Sequence, residues 1–150
     1  MAGVGVAVAV QLMLSALVAG RWGYHRDEPY YLACAARRAW GYVDHPPGVP
    51  ALAGLSARWL GVAPARLRVL PAIAAGAVIV VAALTAGELG GSSRATLVAA
   101  LATLACPLLV ATAHWFQTVP FDVLAGSLAL LVWAHLLDGG HPAWWLVPGW

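Results

Sequence analysis

The amino-acid sequence predicts an all-α fold: a polytopic membrane helical bundle of about four transmembrane helices plus the start of a fifth, with interfacial helices in a long first loop. Three observations carry this. Hydrophobic residues fill 62% of the 150 positions and charged residues only 9%, far outside globular averages. Residues 1–20, 69–87 and 95–121 hold no carboxylate, lysine or arginine, and about 20 apolar residues suffice to cross about 30 Å of hydrocarbon. These runs are also too long and too unalternating for barrel strands, and a chain in lipid must satisfy its own backbone polar groups, so they are helices.

The first span covers about residues 2–21. It lacks a basic leader region and a small-residue cleavage site followed by a soluble domain, so it reads as a retained span. The first outer loop, 22–68, carries two short helices. In "DEPYYLACAARRAW" Asp27 is the expected N-cap, Glu28 and Pro29 occupy the first turn, and Arg37 and Arg38 lie at the far end, as a helix dipole prefers. "PPGVPALAGLSARWLG", residues 46–61, is a second helix closed by Gly61. Both carry the aromatic residues and arginines of interfacial helices, and a connection of this length with its own helices is usually functional.

Further spans are expected at 69–88, 94–114 and 119–137. Pro71 and Pro120 fall in first turns, where proline is tolerated, and Pro107 falls mid-span and predicts a kink. The last span must reach past Asp122 to about Val119 to be long enough, which takes that acid to a membrane boundary. "GELGGSSR" and "DGGHP" are glycine-rich turns that make their flanking helices antiparallel neighbours. "HPAWWLVPGW" resembles an interface belt opening a fifth span, so the chain reads as the N-terminal part of a larger protein. Cys34 and Cys106 fall in different environments and are expected to be unpaired thiols. The net charge of +2 comes with eight arginines and no lysine, too sparse a basic surface for nucleic acid.

Counting crossings puts the loop 22–68 on the same side as the turn "HWFQTVPFD", residues 114–122. Asp27, Glu28, Asp44, His45, His114, Gln117 and Asp122 can therefore gather at one membrane face, with the turns at 88–94 and 138–142 opposite. Seven of the eight arginines lie in 21–68, and charge bias alone would place that face in the cytoplasm.

Each candidate has a plain reading and a chemical one. Asp27 and Glu28 are an N-cap and a first-turn acid, or one of them is a general base at a partly desolvated boundary. Adjacent acids do not face each other on a helix, so only one can aim at a given reacting atom. "VDHPP" is a rigid turn, or Asp44 and His45 are a carboxylate and an imidazole suited to orienting a substrate or to a divalent cation, the one cofactor the residues admit, with Asp44 as its ligand. Asp122 is a wet span boundary or a functional intramembrane acid. His114 and Gln117 are helix-end polar residues or substrate contacts.

"RDEPYYLACAARRAWGYVDHPP" together with "HWFQTVPFD" resembles the amino-terminal part of bacterial polyprenyl-phosphate-dependent glycosyltransferases. These are the polytopic C-class enzymes that include protein O-mannosyltransferases and the aminoarabinose transferases of lipid A, and the likeness runs from about Tyr24 to Asp138. It implies an acid of the first extracytoplasmic loop as the base that deprotonates the acceptor, at Asp27 with Glu28 beside it. It implies that Asp44, His45, Pro46 and Pro47 match an acid and a basic residue ahead of two prolines, His45 standing where the lipid A branch has lysine. Asp122 matches an acid that follows a short outer loop. Arg37, Arg38, Arg58, Arg66 and Arg68 are then candidates to hold the departing phosphate through forked N–H donors, or else interfacial side chains that snorkel.

The expected function is inverting transfer of a hexose or pentose from a polyprenyl-phosphate-linked sugar to a glycan, lipid or protein acceptor, in contact with membrane lipids. The site would face outside the cytoplasm from the inner membrane, against the arginine bias. The fragment alone is expected to be incomplete. The rivals are a transporter or channel with Asp122 and His114 in an ion path, which requires a polar series through the spans, and an inactive truncated helical module.

Overall fold

The structure, a computed structural model, describes residues 1–137, 139, 141, 143 and 144. Among these residues there are eight α-helices and no strand: α1 (Ala2–Ala19), α2 (Asp27–Ala36), α3 (Gly48–Trp59), α4 (Pro64–Leu67), α5 (Val69–Glu88), α6 (Ser93–Leu104), α7 (Pro107–Thr112) and α8 (Val119–Leu137). Three stretches are long and apolar enough to cross a membrane: Ala2–Ala19, Pro64–Glu88 and Val119–Leu137. The expected fifth span lies in 141–150, largely outside the described residues.

Helix α5 is the axis of the bundle, touching α1, α4, α6, α7 and α8. Small side chains make this possible: Ala7, Ala75, Ala83, Ala100 and Ala113 lie in one buried cluster with Val4, Val78, Ile79 and Leu109. Close packing of small residues is what joins helices where lipid removes the hydrophobic drive between them. Outward, Val6, Met13, Leu17, Ile73, Val98, Leu101 and Leu130 are exposed. An apolar surface of that extent, on helices apolar all round, belongs against lipid.

The expected span 94–114 is broken, not kinked. Helix α6 stops at Leu104, and Cys106, with φ −68° and ψ 115°, is extended before Pro107 restarts the chain as α7. Proline clashes with an α-helical predecessor and has no N–H to give the preceding turn. The two halves still carry the chain across, since Gly87 and Thr96 adjoin at one end and Phe116 meets Glu28 at the other.

The turn between α5 and α6 depends on glycine. Gly90 has φ +79°, and a Cβ on Gly91 would lie 2.4 Å from the carbonyl oxygen of Ala86. Their N–H groups bond the Gly87 and Ala86 carbonyls, closing α5 with a left-handed residue, and the Ser92 hydroxyl accepts the Ala95 N–H to open α6. Gly61, φ +99°, closes α3 in the same manner.

Two local expectations are corrected. Asp27 is the first residue of α2, not its N-cap; Arg26 precedes it in a helical conformation with no side-chain cap. Glu28 takes over the capping, its Oε2 accepting the His25 N–H at 2.8 Å. Arg37 and Arg38 lie beyond the last turn, because α2 ends at Ala36, where the Tyr42 hydroxyl donates to the carbonyls of Cys34 and Arg37. Cys34 and Cys106 are both free.

Candidate functional site

At one end of the bundle, the loop 22–68 is fastened to the spans by a buried ion pair. Arg68 precedes α5 and Glu28 lies in the first turn of α2, and the two are 2% and 0% exposed. Arg68 Nε donates to Glu28 Oε1 at 2.8 Å and Nη2 to Oε2 at 2.9 Å. The remaining guanidinium N–H groups reach the carbonyls of Ala19, Trp22 and Gly23, at 2.8, 3.3 and 2.7 Å. Ala19 is the last residue of α1, so Arg68 supplies a cation and donors where a helix end leaves carbonyls unsatisfied. Glu28 Oε1 also accepts the Phe116 N–H at 3.1 Å. Every donor of the arginine and both oxygens of the acid are engaged.

Glu28 is thus closed to solvent with both oxygens occupied, and Arg68 has each of its N–H groups engaged within the protein.

The other acids of this face are open. Asp27 keeps its carboxylate 31% exposed, 3.1 Å from Arg26 Nε and 3.7 Å from His25 Nδ1. Asp44 is 58% exposed and accepts the Tyr30 hydroxyl in a short hydrogen bond, which raises the phenol of Tyr30 far above its ordinary range. His45 lies 3.6 Å from Asp44 and 3.5 Å from the Tyr31 hydroxyl. Asp122 is exposed in the first turn of α8.

Tyr31 packs between the elements that carry these acids. It is 3% exposed, its hydroxyl lies 3.5 Å from His45 Nε2, itself beside Asp44, and burial, followed by repulsion from Asp27, pushes its phenol up. The ring is held edge-on to Phe116 at 6.0 Å, and Phe116 packs on Phe121 at 5.5 Å. Val49, Ala53 and Leu67 complete this second core, which holds the rim together where the spans end.

His114 and Gln117 are half-buried in the turn before α8. Burial, then the Arg68 charge, lowers the His114 pKa, and its Nδ1 is buried without a partner. It borders a cavity of about 550 Å³ with Trp22, Tyr24, His25 and Trp115, where the His25 ring stacks on Trp115 at 4.8 Å.

Arg37, Arg38, Arg58 and Arg66 are exposed, and among the described residues none pairs with Asp27, Asp44 or Asp122. Arg66 lies against Gly61, and Arg38 and Arg58 line a groove of about 650 Å³ between α2 and α3. The structure does not gather these four around the carboxylates as a phosphate cradle.

Among the described residues no group of three or more His, Cys, Asp or Glu side chains is placed to hold a metal ion. Asp44 with His45 offers two donors, short of a complete set for a divalent cation. The polar series a transporter needs is also missing among the described residues. The buried polar groups of α1 are Gln11 and Ser15, bonded to each other at 3.2 Å, and Glu88 and His135 pair at 3.0 Å at the opposite end of the bundle.

Tyr30, Tyr31 and Phe116 were not singled out from sequence. The available signal was weak: an aromatic four residues past Asp27 on a short helix, Tyr31, marks a buried face, but not its partners.

Comparison with family models matches residues 44–150, more than two thirds of the chain, to a family described as dolichyl-phosphate-mannose-protein mannosyltransferase. Neither curated proteins nor solved structures yield a match.

Proposed function

The chain belongs to the dolichyl-phosphate-mannose-protein mannosyltransferase family of membrane glycosyltransferases, and from that premise we propose that it contributes the base-bearing rim of a site moving a sugar from a polyprenyl phosphate to an acceptor hydroxyl outside the cytoplasm. The observation that carries this reading is the packing of α2, the "VDHPP" turn and the start of α8 around Tyr31 and Phe116, which leaves Asp27, Asp44 and Asp122 open at one end of the bundle while Glu28 is withdrawn into the ion pair.

In this reaction Asp27 takes the proton of the acceptor hydroxyl. The oxygen attacks the anomeric carbon, the bond from that carbon to the phosphate oxygen breaks, and polyprenyl phosphate leaves with the electron pair. A single displacement inverts the anomeric centre. Asp44, steered by Tyr30, and Asp122 bind sugar hydroxyls, and His45 orients the donor beside them. The isoprenoid stays in hydrocarbon while its phosphate lies at headgroup depth, which is why the reacting groups sit where spans meet the interface. Further positive charge toward the phosphate comes from outside this rim.

Asp27→Asn in the intact enzyme tests the assignment. Loss of a general base costs roughly 10²–10⁴-fold, so transfer from a polyprenyl-phosphate sugar falls by at least the lower figure while the melting temperature holds. Undiminished transfer removes Asp27 from the role.

A further inference from the structure

The groove between α2 and α3 is not used by the carboxylate site. On α2 its lining includes Ala35, eight residues beyond Asp27 and so about 12 Å along the helix, and neither Asp44 nor His45 lines it. The two helices meet closely there, since a Cβ on Gly54 would stand 3.4 Å from that of Ala35. Arg38 and Arg58 line the groove with Trp40 and Trp59, and the two indoles are 97% and 73% exposed. The Arg58 guanidinium lies over the Trp59 ring, 5.9 Å from its centroid. Among the described residues neither Arg38 nor Arg58 has a carboxylate within ion-pair distance.

Two cations without counter-charge call for an anion, and the surroundings say which kind. The loop is tied at both ends to spans, α1 before it and α5 after it, which keeps it close to the membrane surface. Exposed tryptophans are at home at that depth, and Leu55, which also lines the groove, is exposed as well. A small soluble anion would find no use for that apolar rim. A lipid meets both demands, its phosphate on forked guanidinium donors and its upper chain on the rings.

We propose that the α2/α3 groove binds an anionic bilayer phospholipid, with Arg38 and Arg58 on the headgroup phosphate and Trp40 and Trp59 against the glycerol and upper acyl region. This lipid is not the sugar donor, and the inference does not rest on the transfer reaction. Its effect is to pin the C-terminal end of α2 to the membrane surface, while Glu28 and Arg68 pin the other end.

The test is native mass spectrometry of the delipidated full chain in non-ionic detergent, given equimolar phosphatidylglycerol and phosphatidylcholine. The expected result is retention of phosphatidylglycerol by roughly tenfold over phosphatidylcholine, from two arginines near an anionic surface. Arg38→Gln with Arg58→Gln abolishes the preference. Ala51→Trp, which fills the groove and keeps both arginines, lowers retention equally, and Arg94→Gln at the opposite face leaves it intact. Equal retention of the two lipids, or a preference surviving both groove variants, overturns the proposal. So does polyprenyl phosphate outcompeting phosphatidylglycerol at a site the double variant loses, which makes the groove the donor site. A dimer whose dissociation alone opens the groove to lipid overturns it in favour of a second copy.

Discussion

Glu28 and Arg68 meet through two parallel hydrogen bonds of 2.8 and 2.9 Å, closed to solvent on both sides. The pair joins the end of α1, the start of α2, the start of α5 and the backbone at Phe116. Removing one partner strands a buried charge, which costs about 3–5 kcal/mol. Glu28→Ala and Arg68→Ala should therefore each lower the melting temperature steeply in detergent, and Asp27→Asn should not. Equal, small shifts for all three would mean that the pair does not hold the loop.

The adjacent acids show what could be read without coordinates. That only one of Asp27 and Glu28 can face a substrate follows from helix geometry. Which one does not follow, because the choice is made by Arg68, 40 residues away, and by the Phe116 N–H, 88 residues away. The spans were legible since lipid demands length and apolarity, both local properties. The break before Pro107 was visible as a proline, but its size depended on whether neighbours would satisfy a bent helix.

Acidification should weaken the fold through His114. Its folded pKa lies below the ordinary 6.5, so the unfolded chain binds the proton more readily. Stability is then full above about pH 7 and falls as the pH drops through 6.5 toward the folded value. Thermal melts between about pH 7 and pH 5 should show this slope, reduced in His114→Asn. An unchanged slope would rule out the histidine as its source.

Gly91→Ala should destabilise the turn between α5 and α6 by about 1–3 kcal/mol, as overpacking does, because the new methyl would meet a backbone carbonyl oxygen. Gly5→Ala, with open space around it, should not. Melting curves of the two variants make the comparison.

Tyr30→Phe should leave melting unchanged and raise KM for the lipid-linked donor by roughly fivefold, the worth of one hydrogen bond, since Asp44 loses the hydroxyl that aims it. A fall in stability with unaltered KM would assign that bond to structure alone.

The arginines illustrate a different limit. Their number in 21–68 was plain from the sequence, and a common phosphate cradle was a natural expectation. Arg68 instead bonds Glu28 and the carbonyls of Ala19, Trp22 and Gly23, and Arg38 and Arg58 line the groove between α2 and α3. Composition located the charge at one end of the bundle but could not divide it between these two uses.

The convergence of Asp27 and Asp122 on one rim is the claim on which the rest depends, and a bifunctional thiol cross-linker tests it most directly. In a chain with Cys34 and Cys106 replaced by alanine, Asp27→Cys paired with Asp122→Cys should cross-link in membranes with a short reagent. Asp27→Cys paired with Glu88→Cys should not, because the 20 residues of α5 separate those ends by about 30 Å. Cross-linking of the second pair but not the first would place the two acids at opposite faces and contradict the account.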